Sequence, residues 1–113
     1  LYCLMPNHLH LLVETPKGNL DQFMGSLLTG YAVYLNLRHQ RVGHLMQGRY
    51  GAQVVEGNEY LLKLSRYVHL NPVQIAEIRE RSLTERIRIL REYRLSSFRE
   101  YAGLVPPCGW LTT

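Results

Sequence analysis

The sequence opens with two short apolar runs around a turn-like break, and the second run contains two histidines. The runs are residues 1–4 and 8–13, and Met5–Asn7 separates them. Proline and asparagine favour turns, so the pattern predicts a β-hairpin. Side chains alternate along a strand, which puts His8 and His10 on one face and the leucines between and after them on the other.

Two imidazoles on one strand face, about 7 Å apart along the backbone, can converge on a single divalent ion. The alternative is that His8 and His10 are half-buried rings bonded to neighbouring groups. Burying two adjacent imidazoles without partners is costly, so the two alternatives are more evenly matched here than for a single histidine. The motif also occurs in unrelated metal sites, so by itself it predicts no reaction.

A third ligand has to come from another segment, and Asn71 is a candidate. Its amide oxygen suits magnesium or manganese better than zinc. Tyr67 lies four residues earlier on a predicted helix, so the two side chains project from the same side. The alternatives are that Tyr67 is a packing residue and that Asn71 only ends the helix, since Pro72 follows it.

The remaining pattern is mostly helical. A helix is predicted over residues 20–39, capped by Asn19 or Asp21, because apolar residues from Phe23 to Leu37 form a stripe at helical spacing. Residues 41–55 are interpreted as a basic loop that ends in a strand at Gln53–Val55. Ser82–Glu85 has the form of a capping box, which predicts a further helix after it. The tail is expected to be irregular. Hairpin and helices together indicate the α+β class.

Composition bounds the function without assigning it. The 113 residues suit one domain with a single core, and 46% hydrophobic with 19% charged residues is typical of globular proteins. No apolar run approaches the roughly 20 residues of a membrane span. Cys3 and Cys108 suggest no disulfide framework, so we expect a reduced, cytoplasmic protein with no membrane partner. The charge of +4 is compatible with a polyanionic partner.

Three segments together resemble one known family. "YCLMPNHLHLLVETP", "GHLMQGRY" and "YLLKLSRYVHLNPV", in this order, are similar to the single-tyrosine HUH transposases, in particular to their REP-associated branch. His8-Leu9-His10 matches the His-hydrophobic-His motif from which the family takes its name. The resemblance covers residues 1 to about 103. The segment from Ile75 to Glu92 departs from the shorter connection found in many members.

The resemblance implies a metal-dependent endonuclease and strand transferase for single-stranded DNA, often next to a hairpin. His8 and His10 then match the metal-binding pair, Asn71 the third ligand of Mg²⁺ or Mn²⁺, and Tyr67 the nucleophile that forms a 5′-phosphotyrosine link. The implied fold is a ferredoxin-like or RRM-like antiparallel sheet with helices packed on it. The chain starts inside a predicted strand, so we expect 1–113 to be one catalytic domain that lacks its first strand and helix.

Basic and aromatic residues are candidates for DNA binding through phosphate contacts and base stacking. The basic run from Arg38 to Arg49 is interpreted as a phosphate track as a group, whereas a solvated surface charge is the favoured interpretation of any one arginine taken alone. The candidates are Arg38, Arg41, Arg49, Tyr50 and Arg66.

Two rival functions stay open. One is a non-catalytic DNA-binding or regulatory protein derived from a transposase. The other is an unrelated hydrolase in which the histidines hold zinc and Tyr67 only packs. We expect a monomer, with a dimer as the alternative, because some family branches form dimers that share active sites whereas the REP-associated branch need not.

Overall fold

A computed structural model describes all 113 residues, and the predicted hairpin is present. Strands β1 (Tyr2–Leu4) and β2 (Leu9–Leu11) pair antiparallel, with Cys3 opposite His10. The Met5 amide donates to the His8 carbonyl at 2.8 Å and closes the turn. Directly opposed residues of an antiparallel pair share a face, so Cys3 and His10 lie on the same side of the hairpin.

The chain forms two compact units, one made of Leu1–Val13 with Val55–Thr113 and the other of Glu14–Val54. In the first unit, residues 95–96 run beside the edge of β1 that does not pair with β2. The Leu4 amide donates to the Leu95 carbonyl at 2.7 Å, and Cys3 forms an antiparallel bridge with Ser96. Cys3 and Ser96 are almost completely buried, so this segment forms part of the core.

Helix α2 (Asn58–Leu70) begins after Gly57, whose φ of +85° favours glycine. It ends where predicted and continues as one 3-10 turn, Asn71–Val73. Asn71 keeps helical dihedral angles, although the residue before a proline normally avoids them. Its side-chain amide group donates to the Tyr67 carbonyl at 2.9 Å, an interaction that helps to hold this conformation.

Three further helices complete the first unit: α3 (Ala76–Arg79), α4 (Leu83–Glu92) and α5 (Phe98–Tyr101). The predicted capping box is confirmed, since the Ser82 hydroxyl accepts a bond from the Glu85 amide at 3.3 Å. The buried apolar residues of this unit are Cys3, Val68, Pro72, Val73 and Leu90. The core is therefore small and joins the hairpin, α2, the 3-10 turn and α4.

In the second unit, the predicted helix is confirmed as α1 (Leu20–His39). Asn19 is its N-cap residue but makes no side-chain capping bond. Only Met24 is buried, while Phe23, Tyr34 and Leu37 of the predicted apolar stripe are exposed. Residues 14–54 contain no second helix or strand that could cover this stripe.

The strand predicted at Gln53–Val55 is wrong. The segment has no regular structure, and the Val54 side chain is 81% exposed. A strand needs a neighbouring chain to satisfy its backbone hydrogen bonds, and no partner is paired with these residues. β-branched composition alone therefore did not make this segment a strand.

The architecture is α+β, with a two-stranded antiparallel sheet and helices. None of the helices combines the length and apolar character needed to cross a membrane.

A buried histidine connects α2 to the hairpin and predicts a pH-dependent stability. His69 is 5% exposed and its Nε2 lies 2.9 Å from the Ser97 hydroxyl. Burial lowers the pKa of His69 from 6.5 to about 4. The unfolded chain therefore binds more protons than the folded one between these values, and stability is lost as the pH falls from 6.5 to 4.

We expect His69 to contribute a decrease of up to about 3 kcal/mol in the free energy of unfolding between pH 7 and pH 4. Urea unfolding at several pH values, compared between wild type and His69→Gln, measures this contribution. The exposed His39 supplies the control, His39→Gln, which should follow the wild-type profile. Parallel profiles for wild type and His69→Gln would contradict the prediction.

Candidate active site

The two histidine rings converge beside the hairpin. His8 directly precedes β2 and His10 is its central residue. Their Nε2 atoms are 3.1 Å apart, with the rings perpendicular and the centroids 4.8 Å apart. The extended backbone explains this arrangement, since residues two apart project to the same side.

The separation of these nitrogens fits two ligands of one ion. With metal–nitrogen bonds of about 2.1 Å, two ligand nitrogens lie about 3.0 Å apart at a right angle and about 3.4 Å apart at the tetrahedral angle. The observed Nε2–Nε2 distance of 3.1 Å falls between these values. His8 and His10 could therefore hold a divalent ion without rearrangement of the backbone.

The local electrostatics favour a neutral His10. Burial is the main cause that lowers the pKa of His10, and the neighbouring His8 lowers it further. A hydrogen bond with the Asn71 side chain acts in the opposite direction. A metal ligand must be the neutral imidazole, so the lowered pKa keeps His10 in the binding form near neutral pH.

Asn71 lies at the end of α2, and its two polar groups have different partners. The nitrogen Nδ2 donates to the Tyr67 carbonyl at 2.9 Å and lies 3.5 Å from the Val68 carbonyl. An amide has one oxygen, which can only accept. Because the nitrogen is bonded to the helix backbone, the oxygen is the group left to interact with His10.

Tyr67 lies on the same side of the hairpin as the histidines. Its ring is 5.8 Å from the ring of His10, at an interplanar angle of 75°. Tyr67 is 61% exposed, so a large substrate can reach it. The structure thus brings together the four residues His8, His10, Tyr67 and Asn71.

The structure contains no metal site made entirely of the usual ligating residues. No group of three or more histidine, cysteine, aspartate or glutamate residues could hold a metal ion. The histidine pair therefore lacks the third histidine, cysteine or carboxylate that zinc sites usually have. An additional donor beside His10 is the side-chain amide oxygen of Asn71, which is a hard ligand.

Comparison with known families identifies the chain. A family model described as transposase IS200-like matches residues 1–71. The chain belongs to the IS200-like transposase family. Comparisons with curated proteins and with solved structures gave no match.

The match to the IS200-like transposases begins at the hairpin and ends at Asn71. It therefore includes all four residues that converge in the first unit. Residues beyond 71, which contain Ser96 and Ser97 of the core, lie outside the matched part. Membership of the family implies a transposase that binds DNA.

The predicted DNA-binding residues of this IS200-like transposase fall in both units. Arg66 is exposed on α2 next to Tyr67, whereas Arg38, Arg41 and Arg49 are exposed in residues 14–54. The Arg38 guanidinium lies 6.0 Å from the centre of the Tyr34 ring. All four arginines are therefore accessible to phosphates, and their role in binding stays a prediction.

The hydroxyl of Tyr50 already has a hydrogen-bond partner within the protein, which the sequence did not indicate. It donates to the Asp21 carboxylate, and this bond is the main cause that raises the pKa of Tyr50. The bond connects the loop to the first turn of α1 within the second unit. The face of the ring can still stack on a base, so the predicted contact stays a prediction.

A further residue, Asn7, lies beside the histidine pair, and the sequence had indicated only a role in the turn for it. The Asn7 side chain accepts a hydrogen bond from Nδ1 of His8, at 2.7 Å. Its position directly before a histidine pair was the available signal, because an amide next to an imidazole can orient the ring.

We expect DNA affinity to fall as salt is added, because Lys and Arg contacts to phosphates release bound counterions. Removal of one phosphate contact, in Arg41→Ala or Arg49→Ala, should reduce the slope of log affinity against log salt by roughly one. Titrations of a labelled single strand at several salt concentrations measure this slope. Arg88→Ala, on the exposed part of α4, is the matched control and should leave the slope unchanged.

Proposed function

We propose that this transposase cleaves and rejoins single-stranded DNA through Tyr67, with Mg²⁺ or Mn²⁺ held by His8, His10 and Asn71. The observation that carries the proposal is the convergence of these side chains from two separate elements. The histidine Nε2 atoms are 3.1 Å apart, and the Tyr67 ring is 5.8 Å from the His10 ring. The third donor, Asn71, interacts with His10 through its side chain.

In the proposed reaction the Tyr67 oxygen attacks a phosphodiester. The new bond joins this oxygen to phosphorus, the bond from phosphorus to the 3′-oxygen breaks, and the phenol proton is given up as a 3′-hydroxyl forms. The product is a 5′-phosphotyrosine link. Because the ester is retained, a 3′-hydroxyl of another strand can reverse the step without a nucleotide cofactor.

The residues of the chain contribute binding and orientation. His8 and His10 supply neutral nitrogens, and Asn71 supplies an oxygen whose position is set by the bond from its Nδ2 to α2. A bound divalent ion would stabilise negative charge on the phosphate oxygens and favour the ionised form of the phenol. Arg66 is exposed and directly precedes Tyr67, so we expect it to contact a phosphate next to the one that is attacked.

Finer features of the proposal come from the resemblance to the REP-associated branch. These are a target site flanked by a DNA hairpin, a monomeric protein and a single catalytic domain with a ferredoxin-like sheet. One observation supports the larger sheet. β2 pairs only with β1, so its other edge could accept another strand.

A covalent adduct tests the proposed nucleophile. We expect wild type, with Mn²⁺ and a pool of single-stranded oligonucleotides that carry a hairpin and random flanks, to form a protein–DNA adduct that survives denaturant. The oligonucleotide should be labelled at its 3′ end. The fragment that becomes linked to Tyr67 through its 5′-phosphate retains the original 3′ end. Tyr67→Phe should abolish the adduct and change DNA affinity less than about twofold, since one hydroxyl makes a small contribution to binding.

Tyr60→Phe is the matched control, because Tyr60 is an exposed tyrosine two turns earlier on α2. It should form the adduct at the wild-type level. DNA binding without any adduct would favour the non-catalytic DNA-binding protein. Metal-dependent cleavage without an adduct would favour the hydrolase.

The histidine pair is tested separately. The double variant His8→Ala with His10→Ala should lose Mn²⁺ binding, measured by calorimetry, together with adduct formation, because two of three ligands are removed. His44→Ala, an exposed histidine in the second unit, is the control and should keep both. Mn²⁺ binding that survives in the double variant would contradict the proposed ligand set.

A further inference from the structure

We propose that Asn7 is a positioning residue that fixes the tautomer of His8 and turns its Nε2 lone pair toward His10. The inference deepens the proposed function and rests on it, since it concerns the same metal site. It starts from a contact that the proposed ligand set does not use. The Asn7 Oδ1 atom lies 2.7 Å from Nδ1 of His8.

The direction of this hydrogen bond follows from the chemistry of the two groups. An amide oxygen only accepts, so Nδ1 of His8 must carry the proton. A neutral imidazole has one N–H group and one lone pair, so the lone pair is on Nε2. That atom is the one 3.1 Å from Nε2 of His10. In the metal-free protein this lone pair accepts a hydrogen bond from Nε2 of His10, and the bond to Asn7 keeps it on the side where an ion would bind.

The backbone turn makes the contact possible. The hydrogen bond from the Met5 amide to the His8 carbonyl, 2.8 Å long, closes a turn that contains Asn7. Asn7 and His8 are both exposed, so a histidine without this partner could exchange tautomers through water. An acceptor held against Nδ1 of His8 limits this exchange of tautomers. It also increases the basicity of Nε2, the nitrogen proposed to bind the ion.

A purely structural role of Asn7 in the turn predicts different results. A turn residue affects stability, whereas a positioning residue affects the His8 tautomer and the metal affinity. Aspartate keeps an acceptor oxygen and is also common in turns. Asn7→Asp should therefore preserve both properties, and Asn7→Ala should lose the acceptor.

The first readout needs neither metal nor DNA. Long-range proton–nitrogen NMR spectra of the metal-free protein, at a pH where His8 is neutral, report which ring nitrogen carries the proton. We expect His8 to be protonated at Nδ1 in wild type and in Asn7→Asp. In Asn7→Ala the signals should shift toward the Nε2-protonated form. The His8→Gln variant assigns the signals.

The second readout is the dissociation constant for Mn²⁺, measured by calorimetry. Asn7→Ala should weaken binding about 10- to 100-fold, the range found when a partner of a metal-bound histidine is removed. Asn7→Asp should bind at least as tightly as wild type. A thermal melt of each variant separates these effects from a loss of folded protein.

The outcomes separate this inference from the proposed function. If Asn7→Ala keeps the wild-type tautomer and Mn²⁺ affinity while the double histidine variant loses binding, Asn7 has no positioning role and the metal site stands. If wild type binds no Mn²⁺, the metal site is wrong, and so is the positioning role toward it. The inference is supported only when Asn7→Ala changes both the His8 tautomer and the Mn²⁺ affinity and Asn7→Asp preserves both.

Discussion

The candidate site depends on how α2 is held against the hairpin, and a buried polar network holds it. Ser97 is completely buried, and its hydroxyl lies within hydrogen-bond distance of the Tyr2 amide, the Tyr2 carbonyl and the His69 ring. A buried polar group that loses its partner costs about 1–3 kcal/mol. The network therefore favours one position of α2 relative to β1. Both Tyr67 and Asn71 are on this helix, so their distance from the histidines depends on it.

The two sides of α2 have opposite roles. His69 faces the core and packs against Phe98 and Tyr101, with ring centroids 5.9 Å and 5.1 Å away. Tyr67, two residues earlier and therefore about 200° around the helix, is 61% exposed beside His10. A group that reacts with a polymer has to be reachable from solvent, and it also has to be held in place. Here the buried side of the helix anchors the exposed one.

Much of the fold could be predicted because its signals are local. The turn at Met5–Asn7, the end of α2 at Asn71-Pro72 and the capping box at Ser82 depend on residues within a few positions of each other. The strand predicted at Gln53–Val55 failed for the opposite reason, since a strand requires a partner that no local pattern provides. The apolar stripe of α1 indicated a helix correctly but did not determine what would cover it.

The same distinction applies to the candidate site of this IS200-like transposase. The sequence by itself determined that His8 and His10 share a face and that Tyr67 and Asn71 share a side of one helix, because the periods of strand and helix are properties of the backbone. Only the tertiary structure decided that the two pairs meet. That meeting depends on Ser97, which bonds to Tyr2, 95 residues away, and to His69, 28 residues away. Contacts between segments so far apart follow from packing, and no periodic pattern in the sequence encodes them.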